Sequence, residues 1–151
     1  MKNRATRRSG FTLIEIMAVV LIMGLLAGIV GTVVVNQIDQ ARTQTARAQI
    51  KQLESALTFY QMDNGRFPTT DQGLQSLVEK PAGTPEPRNY RDGGYLQTTV
   101  VPKDPWGQDY QYLSPGQHNP QSFDIWTLGA DGAPGGDGGD RDVGNWAAES
   151  E

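Results

Sequence analysis

The sequence predicts an α+β protein: one long N-terminal helix, apolar in its first half and amphipathic in its second, packed on a small antiparallel sheet and followed by a glycine- and aspartate-rich C-terminal loop. Three observations carry this reading. Residues 11–35, FTLIEIMAVVLIMGLLAGIVGTVVV, hold a single charge, Glu15. Past Val35 the composition turns polar at once, apolar side chains recur near the 3.6-residue helical period, and no helix breaker intervenes. Farther on, two short stretches of strand character precede a segment made mostly of glycine and aspartate.

The first half of the helix reads as a membrane span. Residues 16–35 are uncharged, and at ~1.5 Å per residue they cover roughly 30 Å, the thickness of a bilayer core. The run is too long for an ordinary signal-peptide core and no A-x-A site follows it; taken alone it reads equally as a plain signal anchor. Lys2, Arg4, Arg7 and Arg8 precede it. The positive-inside rule then places a leader, residues 1–10, in the cytoplasm, the helix half 11–35 in the membrane, and the domain 36–151 on the far side, in a bacterium the periplasm. The chain is acidic, with a net charge of −4, which argues against a nucleic-acid partner. It has no cysteine, so a small exported domain must rely on its core or on a metal where others use disulfides.

Glu15 is the anomaly in the apolar run, because a carboxylate in hydrocarbon costs at least ~2–3 kcal/mol unless neutralised. A cut between Gly10 and Phe11 would create an amine about one helical turn from it, which points to an acid and an amine meeting in the membrane on different copies of the chain. Gly24 and Gly28 form G-x-x-x-G, and Ala27 and Gly31 repeat the spacing. Such a stripe lets helices approach closely in lipid, although ordinary glycine content in a membrane helix accounts for it equally well.

One continuous helix is expected from about residue 12 to 63, with Ile38, Ala41, Thr45, Ala46, Ile50, Leu53, Leu57 and Tyr60 on its apolar face and Asn64-Gly65 and Pro68 stopping it. Thr70-Asp71 is expected to cap a short helix over 71–79 with Leu74, Leu77 and Val78 inward. Residues 80–94 are a Pro/Gly-rich loop. Strands are expected over Gly107–Leu113 and Ser122–Leu128, joined by SPGQHNPQ as a hairpin-type connection, and Tyr95–Val100 is a candidate third strand. In FDIWTL the alternation suggests that both faces of the second strand are partly covered. In 129–144, seven of sixteen residues are glycine and four are aspartate, so no periodic structure is expected there.

That segment is also the one candidate site in the body. Hard cations such as calcium take carboxylate and carbonyl oxygens; Asp131, Asp137, Asp140 and Asp142 supply charge, and glycines let carbonyls turn inward. Composition alone fits a flexible acidic loop as well, and Trp146 favours order by anchoring the segment to the body. No nucleophile, H-E-x-x-H, G-x-S-x-G or phosphate-binding lysine loop is present. His118, the single histidine, reads as a solvated loop residue, and Trp106, Trp126 and Tyr110 read as core.

GFTLIE at 10–15, after a basic leader and before a long apolar helix, resembles the class III signal of type IV pilin-like proteins. DNGRFPTTDQGLQSLV, RNYRDGGYL, DPWGQDYQYLSPG and SFDIWTLGADG resemble the major pseudopilins of bacterial type II secretion systems, so the likeness covers essentially the whole chain. The resemblance implies a structural subunit with no enzyme activity, polymerising into a periplasmic pseudopilus that helps export folded proteins across the outer membrane. It implies cleavage after Gly10 by prepilin peptidase, methylation of the Phe11 amine, and attraction of that amine by Glu15 of a neighbouring protomer. Its implied partners are further copies of itself, minor pseudopilins, an inner-membrane platform with its cytoplasmic ATPase, and the secretin with its exoproteins. It also implies a calcium-binding C-terminal loop, with Asp131 and Asp142 as ligands, Asp140 or Asp137 as a third and the Leu128 carbonyl contributing. Thr32 stands where many pilin-like helices carry a proline, so a kink from that source should be missing. Two alternatives compete: the major subunit of a type IV pilus, which often closes its C-terminal region with a cysteine pair this chain lacks, and an anchored calcium-dependent hydrolase, which needs a catalytic constellation not found here.

Overall fold

A single helix, α1, runs from Leu13 to Asn64, within a residue of the expected stretch at each end. The structure is a computed structural model that describes residues 10–146, with all their side chains except those of 29–34 and 36. The leader cations Lys2, Arg4, Arg7 and Arg8 and the side chain of Thr32 lie outside the described residues. The chain divides into two units between Gln37 and Ile38.

In the first unit the described apolar side chains are open: Phe11, ahead of α1, and Leu13, Leu21 and Leu25 within it are all largely exposed. Among the described residues, no helix is long and apolar enough to cross a membrane.

In the second unit α1 buries one stripe. Ala46, Ile50, Leu53, Ala56, Leu57 and Tyr60 are almost fully covered and share one helix face, each three or four residues from another of the set. The expected stripe began earlier, but Ile38, Ala41 and Thr45 are exposed. Half-covered Asp39 and Thr43 continue the face instead, because the neighbour there is loop backbone: the Asp39 carboxylate lies against Gly139, where an added Cβ would come within 2.8 Å of its Cγ. At the other end Asn64 closes the helix. Its Nδ2 donates to the Tyr60 carbonyl and the Tyr95 hydroxyl, both at 2.9 Å, and its Oδ1 accepts from the Asn89 amide at 3.0 Å.

The short helix expected over 71–79 is only a 3-10 turn, Leu74–Leu77. Gly73, with φ 59° and ψ −171°, breaks any α-helix there. The N-cap of the 3-10 turn, Gly73, makes no side-chain cap bond, and the side-chain box lies in the turn just before it. Thr69 and Gln72 form a reciprocal box, the Gln72 amide donating to Thr69 Oγ1 at 3.2 Å and the Thr69 amide to Gln72 Oε1 at 3.1 Å. Thr70 instead ties this turn to the sheet, donating to the Ser114 carbonyl and accepting from its amide. Leu74 and Leu77 point inward as expected, while Val78 is half-covered.

The sheet has three antiparallel strands in the order β1 (Gln111–Leu113), β2 (Asp124–Thr127), β3 (Val143–Gly144). Tyr112 pairs with Ile125, and Thr127 with Val143. The third strand is thus not Tyr95–Val100. That segment is held elsewhere, the Tyr95 and Leu96 amides both donating to the Leu77 carbonyl, and the strand position goes to residues just beyond the last aspartate. Both faces of β2 are covered, as its alternation suggested: Asp124, Ile125 and Thr127 are buried and Trp126 is half-covered. Ile125, Phe123, Tyr110 and Val143 close the core over α1. Tyr110 adds a hydrogen bond from its hydroxyl to Gln49 Oε1 at 2.6 Å.

The phenols of all five tyrosines have raised pKa values, in each case chiefly because burial disfavours phenolate. Tyr90 and Tyr112 rise to about 12, and Tyr60, Tyr95 and Tyr110 move the same way. An acid whose folded pKa is raised stabilises the fold fully below its unfolded value, near ~10 for tyrosine, and loses that contribution as pH climbs through the folded value. The denaturation midpoint should therefore hold steady through mildly alkaline solution and fall steeply between about pH 10 and 12; a flat profile across that window would contradict the burial of these hydroxyls.

Candidate functional site

The residues singled out by sequence sit in two places, one in each unit. At the start of α1, Thr12 and Glu15 cap the helix reciprocally. The Thr12 amide and hydroxyl donate to Glu15 Oε2 at 3.1 and 3.2 Å, and the Glu15 amide donates to Thr12 Oγ1 at 3.3 Å. Glu15, expected to be neutralised only by an amine, thus has local donors as well, and their signal, T-x-x-E ahead of an apolar run, stands in the sequence. The position also favours an anion, because the helix N-terminus carries partial positive charge. Gly10 and Phe11 are exposed, and a Cβ at Gly10 would meet nothing within 4 Å. Packing among the described residues therefore does not require a glycine there.

The glycine–aspartate segment is the loop of a hairpin formed by β2 and β3. It is not unstructured: it contains a 3-10 turn, Gly138–Asp140, and returns into β3. The Ala130 amide donates to the Gly139 carbonyl at 3.0 Å, the Asp142 amide to the Gly135 carbonyl at 3.2 Å, and the Gly135 amide to Asp142 Oδ2 at 3.0 Å. Gly129 and Gly136 both have positive φ, and a Cβ on either would come within 2.5 or 2.7 Å of the Asp140 carbonyl oxygen, so the loop wraps that carbonyl too closely for any side chain. Among the described residues, Asp142 Oδ1 is buried with no hydrogen-bond partner. Leu128 and Asp142 line one cavity of about 360 Å³. Asp131, Asp137 and Asp140 are exposed, with Asp131 Oδ1 accepting from the Ala133 amide at 3.0 Å. Among the described residues, no three acidic or histidine side chains stand together as a ready metal cluster.

Two buried carboxylates escaped the sequence reading. Asp104 accepts from the amides of Trp106 and Gln108 at 3.0 and 2.7 Å and from the Thr127 hydroxyl, fastening the DPWG turn to β2. Asp124, 1% exposed, gathers the connection between β1 and β2. Its Oδ2 accepts from the Gln117 and His118 amides at 2.7 and 2.8 Å, and its Oδ1 from the Asn119 amide at 3.0 Å and Asn119 Nδ2 at 2.9 Å. Burial works against ionisation of Asp124, but the His118 amide and ring, then Asn119 and Gln117, outweigh it and hold the pKa below the usual carboxylate range. His118 is exposed as expected, its side chain 48% accessible, yet it is held in place: its Nδ1 lies 3.1 Å from Asp124 Oδ2, and its ring stacks on Trp146 with centroids 3.9 Å apart. An acid in a short strand, with nothing local to bond, gave no sign that amides from the preceding turn would converge on it.

Comparison with known proteins agrees over both units. The family model described as type II secretion system protein G matches residues 33–146, and the prokaryotic N-terminal methylation motif matches residues 5–31. The type II secretion system core protein G of Vibrio cholerae is 52% identical over 144 residues, 95% of each chain. That of Pseudomonas aeruginosa is 50% identical over 140 residues, 93% of this chain and 96% of the other. The crystal structure of the major pseudopilin from the type 2 secretion system of enterohaemorrhagic Escherichia coli superposes with a TM-score of 0.64 at 46% identity, over 74% of this chain and 92% of that one.

Because the folded pKa of Asp124 is depressed, its contribution is present above the ordinary aspartate value, about 3.9, and disappears as pH falls through the folded one. Asp124→Asn should cost about 2–4 kcal/mol at neutral pH, with the gap to wild type closing in acid below about pH 4. Equal urea midpoints for the two proteins at pH 7 would refute the assignment.

Proposed function

The chain belongs to the protein G family of type II secretion systems, and from that premise we propose how it works: a membrane-anchored protomer is processed at its N-terminus, polymerises into a periplasmic filament and helps move folded proteins across the outer membrane. It is a structural subunit of the secretion system, not an enzyme, and the family match sets aside the type IV pilus reading. The observation that carries the proposal is an N-terminal methylation motif running straight into a protein G body.

Cleavage falls between Gly10 and Phe11. The open surroundings of Gly10 support a demand imposed from outside, by the peptidase. Residues 11–35 anchor the chain in the inner membrane, with the body in the periplasm. Both Thr12 bonds engage Oε2 of Glu15, and Oε1 is assigned to the Phe11 amine of the neighbouring protomer. The Thr12 donors are neutral, so they orient the carboxylate and leave its charge to be compensated in lipid. Minor pseudopilins, the inner-membrane platform with its ATPase, and the secretin are the partners this reading expects.

The loop residues fit calcium. The buried, unpartnered Asp142 Oδ1, the tightly wrapped Asp140 carbonyl and the supply of carboxylates match a hard-cation donor set. Asp131, Asp142, Asp140 or Asp137, and the Leu128 carbonyl would hold the ion, which would cross-link the loop in a chain without disulfides.

Native filament protein should begin at Phe11 and carry one methyl group by intact mass, and Glu15→Ala should insert and be cut normally but yield few filaments. Full assembly by that variant would dismiss the charge pair. Chelator should lower the melting temperature of the native protein by several degrees, as expected for the loss of about 1–3 kcal/mol of linked binding energy. Asp142→Ala should melt like the chelated wild type whether or not calcium is present.

A further inference from the structure

We infer that His118 is a positioning residue for the glycine–aspartate loop: its imidazole clamps Trp146 and so holds the β3 end of the loop, with Asp142, in the shape that receives the cation. The inference rests on the calcium reading and extends it to a connection outside the loop. The two rings are 8° from parallel, with centroids 3.9 Å apart. The indole is also pressed against the backbone at Gly144, where a Cβ would fall within 2.5 Å of the ring. His118 itself is fixed twice by one buried carboxylate, Asp124 Oδ2 accepting from its backbone amide at 2.8 Å and facing its Nδ1 at 3.1 Å.

A clamp is needed because the strand it secures is minimal. β3 has two residues. Asn145 extends the pairing, its amide donating to the Ile125 carbonyl at 3.0 Å and its Oδ1 accepting from the Ile125 amide at 3.1 Å. Asp142, immediately before β3, shares one cavity with His118, Trp146 and Leu128. A glycine-rich loop loses much conformational freedom on ordering, so fixing its exit before the ion arrives strengthens binding through preorganisation. An aromatic stack of ordinary worth corresponds to about a tenfold effect on affinity.

The test uses the full-length protein in detergent with calcium chloride as titrant. His118→Ala should weaken the calcium Kd about tenfold, and His118→Phe, which keeps a flat ring over the indole, should recover most of it. In calcium-free buffer the Asp142 and Gly135 amides should exchange with solvent several-fold faster in His118→Ala than in wild type, while the core amides of Leu53 and Leu57 stay unchanged. An unaltered Kd with unaltered loop exchange would overturn the clamp, as would failure of the Phe variant to recover binding. If the wild type takes up no calcium, the calcium reading falls by itself, and loop exchange alone decides whether His118 holds the loop.

Discussion

The contact on which the body depends is the stripe of α1 from Ala46 to Tyr60. Strands of three, four and two residues do not form a stable sheet alone; so small a sheet needs a partner surface to cover its apolar face. α1 supplies one, a straight row of Ala46, Ile50, Leu53, Leu57 and Tyr60, all at most 2% exposed. Ile125, Phe123, Tyr110 and Val143 close over it from strands and turns far apart in the chain. Even Tyr110, whose ring belongs to this core, bonds through its hydroxyl to Gln49 on the helix.

The remainder of the body is mostly turn and loop, and its order comes from polar side chains acting as local hubs. Asp124 collects three consecutive amides, Asp104 two amides and a hydroxyl, and Asn64 links the end of α1 to Tyr95 and Asn89. Each hub provides the partners that buried backbone groups require in the absence of a ladder. In a chain with no cysteine, these hubs and the proposed calcium loop divide the role that disulfides play in many exported domains.

Glu15 and Asp142 share a design. Each carboxylate is oriented by a short local contact, Thr12 for one and the Gly135 amide for the other. Each thereby presents an oriented anion to a cation from elsewhere, an amine in the proposed filament and a metal ion in the proposed loop. The orienting bonds are neutral, so they set direction without cancelling the charge.

Much of this fold was legible in the sequence. The long helix was readable to within a residue at each end, because periodicity, Asn64-Gly65 and Pro68 act on neighbouring residues. Trp146 was correctly seen as an anchor, and the N-terminal signal was recognisable from contiguous residues. Gly73 cut the expected short helix back to a 3-10 turn, since nothing nearby indicated that its backbone would take a positive φ. The third strand, the reach of the helix stripe and the roles of Asp104, Asp124 and His118 belong to the tertiary structure alone. β3 exists only because β2 offers it an edge, and Asp124 is satisfied only because a turn six residues away folds its amides back onto it. Local sequence determines what depends on residues within a few positions of one another; chain closure decides which distant backbone groups meet, and a buried carboxylate or a two-residue strand has no other source of stability.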